Sequence, residues 1–167
     1  DCIHEVYLEI LKEVSDRYGV GITVELGLQS SNPHTLKLLG RGHTAAEFID
    51  GALRIGRYGF GLCAHVIADL PWDDRTDVEE TAKLVSVLPV TQVKLHSLYI
   101  VKGTELARMY EAGELTLLPM TEYIERVLLF LSYLRKDIII QRIVGRASGP
   151  YTITVNGGDP WWEVKKR

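Results

Sequence analysis

The apolar positions along the chain change period repeatedly, and the change alternates between helical and strand spacing. From His4 to Tyr18, Val6, Leu8, Ile10, Leu11 and Val14 recur at helical spacing, and Gly19 and Gly21 close that segment. Ile22 to Leu28 then reads ITVELGL, a β-branched and apolar run that predicts a buried strand. Gln29 to Pro33 is polar, and Pro33 opens a short predicted helix because proline suits the first helical position. Thr44, with Glu47 three residues on, forms a capping box for a helix that Gly59 ends. Leu62 to Ala68 predicts a second strand. Thr76 to Leu88 predicts a helix with Val78, Ala82, Leu84 and Val85 inward, and Gln92 to Leu98 a third strand. Thr104 to Gly113 predicts a helix, Met120 to Arg135 a long amphipathic one, and Asp137 to Val144 a fourth strand. Residues 146–167 are rich in Gly, Pro and Trp and predict no regular element.

Strict alternation of this kind implies right-handed βαβ units and a parallel sheet. Four strands are too few for a closed barrel of this type, so an open, partial or truncated barrel is expected. In any of these the ligand face lies at the carboxyl ends of the strands. Polar residues gather there: Glu25, Gln29, Ser30 and Ser31 after the first strand, His65 and Asp69 on the second, His96, Ser97 and Tyr99 on the third, Gln141 and Arg142 on the fourth. Amide, imidazole and guanidinium groups brought together suit a polar ligand with a carboxylate and a ribose. Each residue also has a purely structural reading. Gln29 can cap its loop, His65 can be a satisfied core histidine, and His96 can line the sheet's other face. Glu25 can pair with Lys94, and Cys63 can be a small buried hydrophobe.

Composition narrows the function classes. Hydrophobic residues make up 46% and charged residues 25%, a globular balance. A net charge of −3 gives no overall basic field for nucleic acid, and Lys165, Lys166 and Arg167 read as a solvated tail. Cys2 and Cys63 make neither a CxxC pair nor a disulfide framework, which fits a reducing cytoplasm. No apolar run has membrane-span length and no signal-peptide pattern opens the chain. Asp1 lies almost inside the first helical pattern, so the chain reads as a piece of a longer protein. Dinucleotide, P-loop, HExxH, GxSxG and zinc-spaced motifs are all missing. The residues alone therefore stop at an α/β domain with a polar site at its strand ends.

The stretch VELGLQSSNPHTLKLLGRGHT, Val24 to Thr44, is more specific. It resembles the fourth strand and following loop of radical S-adenosylmethionine (radical SAM) enzymes, in the Elp3-like branch that includes oxygen-independent coproporphyrinogen oxidases. Further matching segments are Arg41–His43, His65, Asp69–Pro71 and Val93 to Thr104, and the likeness runs from about Glu5 to Val144. It is closest to an uncharacterised bacterial subgroup.

The resemblance implies the parallel sheet of a partial (β/α)6 TIM-like barrel with its N-terminal strands missing, over residues 1–145. An irregular tail, 146–167, follows. It implies a cofactor-binding set of Gln29, Ser30, Arg41, His65 and Tyr99. Gln29 matches a glutamine that contacts S-adenosylmethionine, and Arg41 an arginine that reaches back to the same ligand. His65 stands where relatives have an aspartate near the ribose. Tyr99 stands where the backbone approaches the adenine. Relatives also hold a 4Fe-4S cluster on a CxxxCxxC loop, and this chain has no such triplet, so the cluster's ligands are not in it. The usual Gly-Leu-Pro reads Asp69-Leu70-Pro71, and Arg146 stands where an aspartate is expected. The implied activity is reductive cleavage of S-adenosylmethionine to a 5′-deoxyadenosyl radical by the full-length protein. RNA, a porphyrin-like molecule and a protein side chain are all open as substrates. Two other readings stay open: a TIM-barrel-type enzyme fragment binding a phosphorylated small molecule, with Gly145 and Gly149 as a faint phosphate loop, and a non-catalytic binding module anchored by Trp161-Trp162.

Overall fold

The computed structural model describes residues 3–145 and 150–155. The elements run α1 Glu5–Tyr18, β1 Thr23–Gln29, α2 Pro33–Leu38, α3 Ala45–Arg57, β2 Gly61–Ile67 and α4 Arg75–Val87. They continue β3 Gln92–His96, β4 Tyr99–Val101, α5 Glu105–Glu111, α6 Met120–Tyr133, β5 Ile139–Arg142 and β6 Thr152–Val155. β1, β2, β3 and β5 form one sheet in that order, and every pair is parallel. The α/β alternation read from the sequence is therefore the observed architecture.

Local chemistry sets most boundaries. Thr44 and Glu47 form the expected capping box of α3, and Asp74 and Asp77 form a second one on α4. The amides of Asp77 and Thr76 hold the Asp74 carboxyl below the usual carboxylate range. α1 ends on Gly19 in the left-handed region, φ 61°, where a residue without a side chain is least strained.

The sheet has two unlike faces, as the alternation of side chains in a strand requires. On one, Leu28, Leu62, Ala64, Val66, Val93 and Leu95 pack under Phe48 and Ile55 of α3, Val78, Ala82 and Val85 of α4, and Val127 and Phe130 of α6. Burying each large apolar side chain is worth about 1.5–3 kcal/mol, and this layer is what fixes the sheet. The opposite face carries polar residues bonded from strand to strand. Glu25 on β1 takes both His65 of β2, at 2.9 Å, and Lys94 of β3. Gln141 donates to Gln92, whose amide lies 3.5 Å from the Thr23 hydroxyl.

Three expectations change. Only Leu8 of the α1 stripe is buried and Leu11 is half-buried, while Val6, Ile10 and Val14 are exposed. The third predicted strand stops at His96, and Tyr99–Val101 begins a separate two-stranded sheet. Its partner is Thr152–Val155, antiparallel, so the expected irregular tail contains a strand. The β-branched sequence Thr-Ile-Thr-Val supplies strand propensity that the surrounding Gly and Pro obscured. Trp161-Trp162 and Gly149 lie outside the described residues. No helix among the described residues is long and apolar enough to cross a membrane.

Candidate functional site at the strand ends

The site is built where β1 ends. Gln29 has φ 71°, a left-handed conformation that a non-glycine residue adopts at some cost. The ladder slips at the same point, so that Gln29 rather than Leu28 is opposite Val66. The bulge ends the strand and sets the amide of Gln29 beside Gly27. Arg41 returns to the same place by another route. α2 finishes in a Schellman turn: Gly40, at φ 62°, donates to Lys37 O at 3.0 Å, and Arg41 N donates to Leu36 O at 2.9 Å. The Arg41 guanidinium then donates to the Gly27 carbonyl at 3.2 Å and to His43 Nε2 at 2.8 Å. A Cβ on Gly27 would lie 2.6 Å from both Arg41 Nη2 and Gln29 Nε2. The amide and the guanidinium therefore converge over a residue that has room for them only because it lacks a side chain.

Beside them is a cavity of about 270 Å³ lined by Gln29, His65, His96, Ser97, Tyr99 and Leu106 among others. His65 is oriented by Glu25. Its ring is 5.2 Å from that of His96, between centroids. His96 Nε2 is buried and has no hydrogen-bond partner among the described residues. Burial, with the nearby charges of His65, Arg142 and Lys94, pushes the His96 imidazole down to about 4, so the ring is neutral near pH 7. Tyr99 is exposed, and its backbone belongs to the β4–β6 pair.

Ser30 is placed differently. It is 1% exposed, accepts a bond from Asn32 N at 3.0 Å and lies within hydrogen-bond reach of the Asp73 carboxylate, away from the cavity lining. Of the residues picked from the sequence, Gln29, His65 and Tyr99 share the cavity, Arg41 joins Gln29 above Gly27, and Ser30 sits in the wall behind. Gly27 itself was not singled out, although a lone glycine inside ELGLQ is the mark of a close approach. Asp69, 7% exposed, anchors the far side by accepting Leu98 N at 2.6 Å.

A parallel α/β sheet with a polar candidate site at its carboxyl edge is the class that fold and geometry define. Residues 90–167 match the family described as the Radical_SAM C-terminal domain. The chain is 33% identical over 166 residues to the uncharacterized protein YtqA of Bacillus subtilis, covering 99% of this chain and 49% of YtqA. It is 38% identical over 143 residues to the uncharacterized protein MJ0486 of Methanocaldococcus jannaschii, covering 86% of this chain and 44% of that protein. In structure it is similar to the archaeal Elp3 of Methanocaldococcus infernus with an N-terminal deletion, at a TM-score of 0.73 and 24% identity, covering 93% of this chain and 38% of that one. The family match and the relatives support a radical SAM C-terminal part for this chain. It spans about half the length of the curated relatives it matches.

The radical SAM homology implies S-adenosylmethionine and a 4Fe-4S cluster in full-length members. The residues here fit the first and not the second. An amide, a guanidinium with further donors and an unsatisfied buried imidazole nitrogen are matched to a nucleoside bearing an amino acid. For a cluster, the only cysteine among the described residues is Cys63, which is buried and whose thiol burial pushes up, away from the thiolate a metal needs. No group of three metal-ligating side chains occurs among the described residues.

Proposed function

We propose that this chain supplies part of the S-adenosylmethionine pocket of a cytoplasmic radical SAM enzyme. Its parallel sheet forms the C-terminal portion of a partial (β/α)6 barrel, and the cluster cysteines lie outside it. The observation that carries the reading is the convergence of Gln29 and Arg41 over Gly27. Arg41 uses two of its donors within the protein and keeps others for a carboxylate or a ribose oxygen. The Gln29 amide offers both a donor and an acceptor beside it. His65, steadied by Glu25, lines the cavity and offers a ring to a ribose hydroxyl, and Tyr99 of β4 lines the same cavity. Residues 1–145 would form this unit, with Thr152–Val155 returning to pair with β4. The bound cofactor would supply hydrogen-atom abstraction. What this chain's residues contribute is to hold the adenosyl and amino-acid ends in one orientation and to keep water out.

Titration calorimetry of S-adenosylmethionine into the chain tests the assignment. Gln29→Ala and Arg41→Ala are each expected to weaken binding about tenfold, or about 1.4 kcal/mol, the scale of a hydrogen bond to a charged group. Equal and weak binding by wild type and both variants overturns it.

A further inference from the structure

The loop between Gln29 and Arg41 does not stand by itself. Ser31 N donates to Thr81 Oγ1 of α4 at 3.0 Å, and the Ser31 and Thr81 hydroxyls are 2.9 Å apart. Thr35, within α2, donates its hydroxyl to Asp73 Oδ1 at 2.5 Å. Ser30 reaches the same carboxylate and also accepts Asn32 N, while Asn32 Oδ1 caps α2 through His34 N and Thr35 N. Ser30, Thr35, Asp73 and Thr81 are all at most 6% exposed. Two groups from the β2–α4 region, one carboxylate and one hydroxyl, thus hold both the start of the loop and the helix that carries it to Arg41. Bonds of this kind inside a low-dielectric wall are strong when complete, and each leaves a costly unsatisfied group when one partner is removed.

We propose that Asp73 and Thr81 are positioning residues for the ligand site, holding the Gln29 turn and the Arg41 guanidinium in register with each other. The proposal rests on the reading of Gln29 and Arg41 as the S-adenosylmethionine contacts. Left to itself, Gln29 would leave its left-handed conformation, since nothing in a glutamine favours that region. The bonds from Ser31 and Ser30, the next two residues, prevent it. Thr35 and the Schellman turn transmit the same constraint to Arg41. Asp73 and Thr81 need not touch the ligand to act in this way.

The test pairs each removal with a conservative replacement. Thr81→Val keeps the shape and loses the hydroxyl, and Thr81→Ser keeps it. Asp73→Ala loses the acceptor, and Asp73→Asn keeps an oxygen for Thr35. Two readouts are taken on the whole chain: the nuclear Overhauser contact between the Arg41 side chain and Gly27, which needs no ligand, and calorimetric affinity for S-adenosylmethionine. Thr81→Val and Asp73→Ala are expected to lose the contact and to bind about tenfold more weakly, with Thr81→Ser and Asp73→Asn close to wild type. Persistence of the Arg41–Gly27 contact in Thr81→Val and Asp73→Ala overturns the proposal, as does loss of the contact with unchanged affinity. If wild type binds no S-adenosylmethionine while Thr81→Val still loses the contact, the positioning role stands and the cofactor assignment falls. Should Asp73→Ala fail to fold, the Thr81 pair decides.

Discussion

Gly27→Ala is expected to weaken S-adenosylmethionine binding about a hundredfold while leaving the melting temperature nearly unchanged. The added Cβ would lie 2.6 Å from Arg41 Nη2 and 2.6 Å from Gln29 Nε2, and 3.5 Å from Arg41 Cζ. Contacts that short are not sustained, so both side chains must leave. Both are ends of flexible chains, and their departure costs the fold little. Gly27 is not among the glycines with positive φ, so the backbone accepts alanine, and losing a glycine from a strand interior slightly favours the folded state. Binding instead loses the amide and the guanidinium together. Two contributions of about 1.4 kcal/mol each come to roughly two orders of magnitude in affinity. Calorimetry and a thermal melt on the same preparation separate the two effects. Affinity within twofold of wild type would mean that the ligand does not use this convergence.

The second large effect concerns pH. Burial pushes the Asp69 carboxyl up to about 6, against the bond from Leu98 N and the charge of Arg126, which oppose it. An acid raised in the folded state has its full stabilising contribution below its unfolded value near 3.9 and loses it as pH rises through about 6. Between those values the folded protein binds more protons than the unfolded one. The loss is on the order of 3 kcal/mol for this group. His96 works in the opposite sense: its ring, held down to about 4, stays neutral in the fold while the unfolded chain takes up a proton below about 6.5, so stability falls as pH falls. Asp73, also raised by burial, acts in the same sense as Asp69. A single stability curve would mix these. The difference between wild type and Asp69→Asn isolates the carboxyl, because His96 and Asp73 are common to both. Asparagine keeps an oxygen for Leu98 N. In denaturant titrations at pH 4 and pH 8, wild type is expected to lose about 2.4 kcal/mol relative to Asp69→Asn on going to the higher pH, because at pH 4 the unfolded carboxyl is already about half ionised. Parallel curves would mean that Asp69 is not buried as a titrating group.

How much of this was legible beforehand depends on the kind of interaction. The apolar runs ITVELGL and LCAHVIA, with the capping box at Thr44 and Glu47, carry their structure locally, and the parallel order follows from alternation. The α1 stripe misled, because helical spacing states where a helix forms and not whether its face is covered. β6 was hidden because its four residues form a strand only against Tyr99–Val101, a pairing that spans about half a hundred positions. At the site, Gln29 and His65 were readable because parallel strands bring their carboxyl ends together, and Tyr99 joins them from β4, just beyond the end of β3. Ser30 looked equivalent to Gln29, yet the left-handed turn at Gln29 sends the next residue into the wall. Asp73 and Thr81 gave no signal at all, since a hydroxyl in a helix and an aspartate before an N-cap are ordinary until the loop they grip is seen.

The cross-strand bonds of the polar face have a mechanical consequence. Glu25 ties β1 to β2 and β3 at once, and the Gln141–Gln92–Thr23 relay crosses the sheet at another level. A strand that slid by one residue would turn its oily row toward solvent and also break these rungs. Alignment is thus locked from both surfaces, and the mouth formed by the strand tips inherits that stiffness without any loop having to provide it.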